Sequence, residues 1–161
     1  MDLYLIRHAD AASLEDAGVA SDEERPLTRK GHAQAQSLAV RFRRRGVTFD
    51  AIITSPLLRA RQTTDGLVAR MGVSPPIVVF DEIGFEVRPR KICEYLRKLG
   101  EVATVAIIGH QPGLSRFAAW LSGSKKTQLD LSKAGFALLK CDELKKGGGV
   151  LNLLTSLDWI G

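Results

Sequence analysis

The sequence predicts a three-layer α/β/α sandwich: a mostly parallel central sheet, helices on both faces, and an antiparallel hairpin at one edge. Two patterns predict it. Four short apolar runs, residues 3–6, 51–53, 77–80 and 105–108, alternate with stretches whose apolar residues recur at helical spacing. Runs of that length suit buried strands, and strand–helix alternation favours parallel pairing. After Gly123 the alternation stops. Residues 136–141 and 150–157 follow one another across a turn containing Gly147, Gly148 and Gly149, as antiparallel neighbours do.

The elements follow in order. The run 3–6 stops abruptly at Arg7 and His8. Residues 11–25 are polar and acidic, with Ser13, Glu15, Asp16, Ser21, Asp22, Glu23 and Glu24, and predict a long surface loop. Arg25-Pro26-Leu27-Thr28 closes it. Thr28 is a suitable helix N-cap, and Ala35, Leu38, Ala39 and Phe42 supply the core-facing stripe that follows. Gly46 ends that helix, whose outer face carries Arg41, Arg43, Arg44 and Arg45, and His32 is expected to be exposed and inert. After the second strand, Thr54-Ser55-Pro56 predicts a helix capped by Ser55 with Pro56 at its first position. Ala60, Thr64, Leu67, Val68 and Met71 form its buried stripe. The third strand leads to Asp81 and Glu82, then to a helix marked by Ile92, Tyr95, Leu96 and Leu99. The fourth strand runs into Gly109-His110-Gln111-Pro112-Gly113, and Leu114, Phe117, Ala118 and Leu121 continue as a helix.

Bulk properties narrow the function. With 161 residues, 45% of them hydrophobic, residues 1–161 are expected to form one domain with a substantial core. The 23 basic and 18 acidic residues give a net charge of +5. The positive residues are scattered, and no nucleic-acid-binding module or aromatic interleaving accompanies them, so no nucleic-acid partner is expected. Cys93 and Cys141 belong to no CxxC pair and read as ordinary thiols rather than zinc ligands. The chain opens on Met-Asp without a signal-peptide pattern, and no apolar stretch approaches the ~20 residues that cross a bilayer. A cytoplasmic monomer that does not engage a membrane is the expectation.

Three predicted strands end on chemistry-bearing residues: Ile6 on Arg7-His8, Ile53 on Ser55 and then Arg59, Ile108 on His110. In open α/β sheets, ligands bind outside the carboxyl ends of the strands, and two of these ends also open helices, whose free N–H groups favour anions. Converging arginines repel one another unless something negative lies between them, and their planar forks match phosphate oxygens. A neutral imidazole with a pKa near ~6.5 is a competent nucleophile, so attack on phosphorus would give a covalent phosphohistidine. Arg7, Arg59 and a protonated His110 would then offset charge on the equatorial oxygens. Two arginines make the site hostile to a divalent cation, so neither a metal nor any other cofactor is expected.

Arg7-His8, the segment from Ser55 to Thr63 (SPLLRARQT) and Gly109-His110-Gln111-Pro112 together resemble the three signatures of the histidine phosphatase superfamily. That superfamily includes phosphoglycerate mutases, acid phosphatases and small SixA-type phosphohistidine phosphatases. Arg25-Pro26-Leu27-Thr28 is similar to the SixA-type branch in particular. The resemblance implies His8 as the phosphorylated nucleophile and Arg7, Arg59 and His110 as the phosphoryl pocket. It adds Arg25 at the pocket rim, Ser55 as a substrate contact, and Glu82 in the stretch where larger members carry a proton donor. Ala9 stands where many relatives have glycine, a methyl that could crowd the phosphate or alter the turn but that the small SixA-type members accept. The implied activity is phosphatase action on phosphohistidine of a partner protein, such as a histidine-containing phosphotransfer domain. Two alternatives stay open: a phosphomonoesterase or mutase acting on a small metabolite, and a non-catalytic phosphate-binding module.

Overall fold

The computed structural model describes residues 1–72, 74–124 and 128–159. Its centre is a six-stranded sheet built from β1 (Asp2–Arg7), β2 (Ala51–Thr54), β3 (Ile77–Val79), β4 (Thr104–Gly109), β5 (Phe136–Cys141) and β6 (Gly149–Thr155). The strand order is β3-β2-β4-β1-β5-β6. The first four strands pair in parallel, whereas β5 runs antiparallel to both β1 and β6. Because β4 inserts between β2 and β1, the three strand ends that carry Ser55, His110 and Arg7-His8 lie side by side.

Side chains alternate across the sheet, as the pleat requires. Leu3, Leu5, Ile53, Val105 and Ile107 face one layer, which holds α4 (Pro89–Lys98) and α5 (Gly113–Leu121) through Ile92, Leu96, Leu114, Phe117 and Leu121. Tyr4, Ile6, Ile52, Ala106 and Ile108 face the other layer. There α2 (Arg29–Arg44) contributes Leu38, Ala39 and Phe42, and α3 (Leu58–Met71) contributes Ala60, Leu67 and Met71. Tyr4, Phe42, Phe49 and Phe136 interlock with ring centroids 5.1–5.6 Å apart, and such pairs add about 0.5–1.5 kcal/mol each beyond the area they bury. The expected three-layer sandwich with a C-terminal antiparallel hairpin is therefore the observed architecture.

Thr28 caps α2 as expected, its hydroxyl accepting the Gly31 N–H. Three local expectations are corrected. Residues 11–25 are not continuous loop: Ser13 caps a short helix, α1 (Leu14–Ala17), whose acidic first turn suits the positive end of the helix, and a 3-10 turn spans Asp22–Glu24. Helix α3 starts at Leu58 rather than Pro56, with Leu57 at the cap position, and the Ser55 hydroxyl accepts the Leu57 N–H at 3.3 Å. Strand β3 ends at Val79, where Phe80 turns to stack on Tyr95 at 4.7 Å, and β6 ends at Thr155 ahead of a closing 3-10 turn, Leu157–Trp159.

Candidate active site

Arg7 is the last residue of β1 and is registered against Gly109 at the end of β4. One residue further, the His8 N–H donates to the Gly109 carbonyl at 2.9 Å, and the His8 carbonyl accepts the Ala134 N–H. His110 begins the turn into α5, its carbonyl taking the Leu114 N–H at 2.9 Å. The two imidazoles consequently face each other, with ring centroids 5.0 Å apart and both rings buried. Arg59, in the first turn of α3, is also buried. The structure thus brings together Arg7, His8, Arg59 and His110 from three adjacent strand ends.

Hydrogen bonds assign the ring atoms. His8 Nδ1 lies 2.7 Å from the Ala9 carbonyl. A carbonyl only accepts, so Nδ1 carries the proton and the neutral ring keeps its lone pair on Nε2. His110 Nε2 lies 2.7 Å from the Ser55 hydroxyl, which also accepts the Leu57 N–H at 3.3 Å. The hydroxyl can donate to Nε2 while accepting that N–H, and in this tautomer the neutral His110 ring carries its proton on Nδ1. Two buried polar atoms have no partner among the described residues: His110 Nδ1 and Arg7 Nε. Arg7 Nη1 is held by the Leu131 carbonyl at 2.7 Å, which fixes the fork that Nε belongs to. Buried unpaired polar atoms are costly, and both of these belong to the four residues gathered here.

The electrostatics differ from the expectation of ordinary imidazoles. His8 is pulled down to about 4, chiefly by burial, opposed by its bond to Ala9 and reinforced by Arg59, Arg7 and Lys133. His110 falls to about 3, again through burial, with His8 and Arg59 adding to the effect and Asp22 opposing it. Both rings are therefore neutral at physiological pH in the ligand-free pocket. The expected protonated His110 therefore requires an anionic group in the pocket, whose charge would raise the ring's pKa.

The remaining predicted residues take more varied places. Ser55 is fully buried, and its hydroxyl is in hydrogen-bond contact with the His110 imidazole. Arg25 joins the cluster indirectly, through a 2.8 Å ion pair to Asp22. Glu82 lies on a 3-10 turn (Asp81–Ile83), 3.6 Å from Arg88, and among the described residues none of its hydrogen bonds or ion pairs reaches the four core residues. His32 is exposed as expected. Ala9 is fully buried, its methyl packing with Leu27, Ala35 and Ala134 and its N–H donating to Thr63 Oγ1 at 3.1 Å, so it neither crowds the pocket nor strains the turn. Cys93 and Cys141 are buried free thiols, and burial pushes Cys93 up to about 11.

Sequence reasoning missed Asp22, Lys133 and Thr63. Asp22 grips Arg59 and Arg25 together, Lys133 pairs with Asp10 two residues after His8, and Thr63 fixes the Ala9 backbone. For Asp22 a signal existed, since it stands three residues before Arg25 and one turn brings such a pair into contact. Among the described residues, no group of three or more His, Cys, Asp or Glu side chains is placed to hold a metal ion.

The family model of the histidine phosphatase superfamily (branch 1) matches residues 3–84, which contain two of the three strand-end signatures. The chain belongs to that superfamily. A protein of Picosynechococcus, described as uncharacterized, is 34% identical over 99% of both chains. The phosphohistidine phosphatase SixA of Escherichia coli is 28% identical, over 94% of this chain and 91% of SixA. A solved structure of the protein histidine phosphatase SixA complexed with tungstate superimposes with a TM-score of 0.86 at 28% identity, covering 98% of each chain. An Escherichia coli protein described as an α-ribazole-5′-phosphate phosphatase shares the fold alone, with a TM-score of 0.78 at 20% identity over 98% of each chain.

Proposed function

We propose that this protein is a phosphohistidine phosphatase that works through a covalent phosphohistidine at His8. The observation that carries the reading is the pinned His8 ring: Nδ1–H donates to the Ala9 carbonyl, and the lone pair on Nε2 is left for attack. In the first step Nε2 forms a bond to phosphorus as the bond from phosphorus to the leaving imidazole nitrogen breaks, the electron pair departing with that nitrogen while a proton already taken from solvent by the other ring nitrogen leaves the departing imidazole neutral. In the second, water attacks the phosphohistidine, the N–P bond electrons return to Nε2, and phosphate leaves. Arg7 Nε and the His110 Nδ1–H stabilise the phosphoryl oxygens in both steps, and Arg59 adds the third positive or polar group. This charge comes from side chains, so the mechanism needs no metal.

Similarity to SixA over nearly the whole chain supports phosphohistidine as the substrate. So does the economy of the fold near the pocket. Between α3 and β4 the described elements are β3, the 3-10 turn and α4, all committed to the sheet or its covering layer. A phosphate presented on a partner protein, such as a histidine-containing phosphotransfer domain, suits such a site. Glu82 is paired with Arg88 rather than with the pocket, and an imidazole leaving group tolerates that, because once protonated it departs neutral whereas an alkoxide needs a strong acid. The test compares turnover of a phosphohistidine protein with turnover of sugar phosphates by wild type and Glu82→Gln. We expect the phosphohistidine protein to be preferred and its turnover to change less than about threefold in the variant. Efficient, Glu82-dependent hydrolysis of sugar phosphates would instead establish a metabolite phosphatase.

A further inference from the structure

Asp22 enters the pocket without a part in either chemical step. One of its carboxylate oxygens lies 2.7 Å from Arg59 Nη2, and its main-chain carbonyl accepts from Arg59 Nη1 at 2.5 Å. The other carboxylate oxygen takes Arg25 Nη1 at 2.8 Å, and Arg25 Nε is anchored in turn on the Ala12 carbonyl at 2.6 Å. A relay therefore runs from the backbone at Ala12 through Arg25 and Asp22 to Arg59. The Arg59 side chain is only 7% exposed while that of Asp22 is 40% exposed, so the carboxylate reaches the buried cation from the solvent side. A guanidinium carries five N–H donors, and this grip uses one hydrogen on each terminal nitrogen. Three remain for a phosphoryl group. The Arg25 hydrogen bond and then that of Arg59 hold the Asp22 carboxyl below its usual range, so the grip is ionic at neutral pH.

We propose that Asp22 is a positioning residue for phosphoryl transfer, fixing the outer edge of the Arg59 fork so that its inner N–H groups meet the phosphoryl oxygens. The proposal rests on reading the pocket as a phosphoryl-transfer site and is independent of which phosphorylated substrate it serves. A fork of this kind is effective only when its plane is set, and misplacement of a catalytic group by about 1 Å can cost about 100-fold in rate.

The test measures kcat and KM for p-nitrophenyl phosphate and for a phosphohistidine peptide, together with inhibition by orthovanadate. For Asp22→Ala we expect kcat to fall about 10- to 100-fold on every substrate the wild type hydrolyses, with a smaller change in KM and weaker vanadate inhibition. Asp22→Asn keeps an acceptor oxygen for Arg59 and should recover part of the loss, which a merely structural role would not produce. It also carries the test if the alanine variant folds poorly. In an Arg59→Lys background, removing Asp22 should cost less than about threefold, because an ammonium has no fork to align. Wild-type kcat in Asp22→Ala, tighter vanadate binding, or full additivity with Arg59→Lys would each overturn the proposal. A wild type that hydrolyses p-nitrophenyl phosphate but spares the phosphohistidine peptide would defeat the substrate assignment, leaving the Asp22 comparison to be decided on the ester.

Discussion

His8 is readied by two neighbours that act on different properties. The Ala9 carbonyl fixes which nitrogen is free, while burial among Arg7, Arg59 and Lys133 keeps the ring neutral down to about pH 4. A nucleophile with an ordinary imidazole pKa would lose half its reactive form near pH 6.5. In the ligand-free protein, the His8 ring resonances should therefore stay constant in NMR spectra from pH 8 to pH 5, and a midpoint near 6.5 would contradict the buried geometry. The stability consequence has a definite sign. The folded state binds its protons on His8 and His110 at lower pH than the unfolded chain does, so stability is retained above about pH 6.5 and falls as pH drops toward the folded values of about 4 and 3. The slope approaches about 1.4 kcal/mol per pH unit for each ring. None of this was readable from the His8 and His110 positions alone, because the depression depends on how closely the fold packs the four groups.

At the scale of elements, helix α2 is seated so closely that it fixes the segment following the nucleophile. Thr28 N–H donates to the Asp10 carbonyl at 3.0 Å and the Thr28 hydroxyl to the Asp10 carboxylate at 2.6 Å. A methyl placed on Gly31 would meet the Asp10 carbonyl oxygen at 2.0 Å, a distance that only backbone movement relieves. Gly31→Ala should consequently lower stability by about 1–3 kcal/mol in a denaturant titration and reduce activity further by shifting residues 8–10. A variant as stable and active as wild type would show that α2 does not support the site. The helical stripes of α2, α3, α4 and α5 were legible because burial imposes a regular period. The exceptions have local causes. Helix α1 is a single turn, too short for a period to register, and only Ser13 and its acidic first turn mark it. Ser55 has the chemistry of an N-cap and accepts the Leu57 N–H, but only tertiary packing reveals that its hydroxyl also meets His110.

At the scale of the molecule, the site is a product of strand order. Arg7-His8, Ser55 and His110 are separated by tens of residues, and they meet because β4 inserts between β1 and β2. Each strand end was recognisable in sequence from an apolar run that gives way within two residues to an arginine, a histidine or a serine, so the core of the pocket could be read before its geometry was known. Its supporting contacts could not. Asp22 and Lys133 sit in stretches with no periodicity, Thr63 lies beside the stripe that marked α3, and only the folded chain places the three against Arg59, Asp10 and Ala9. The account stands or falls on His8 as the atom that receives the phosphoryl group. The direct measurement is a rapid acid-free quench of the protein mixed with a labelled phosphohistidine protein, followed by mapping of the label. A transient phosphoenzyme, acid-labile and alkali-stable, should appear on His8 and be absent from His8→Ala. Turnover at the wild-type rate by His8→Ala, or label mapped to another residue, would contradict it.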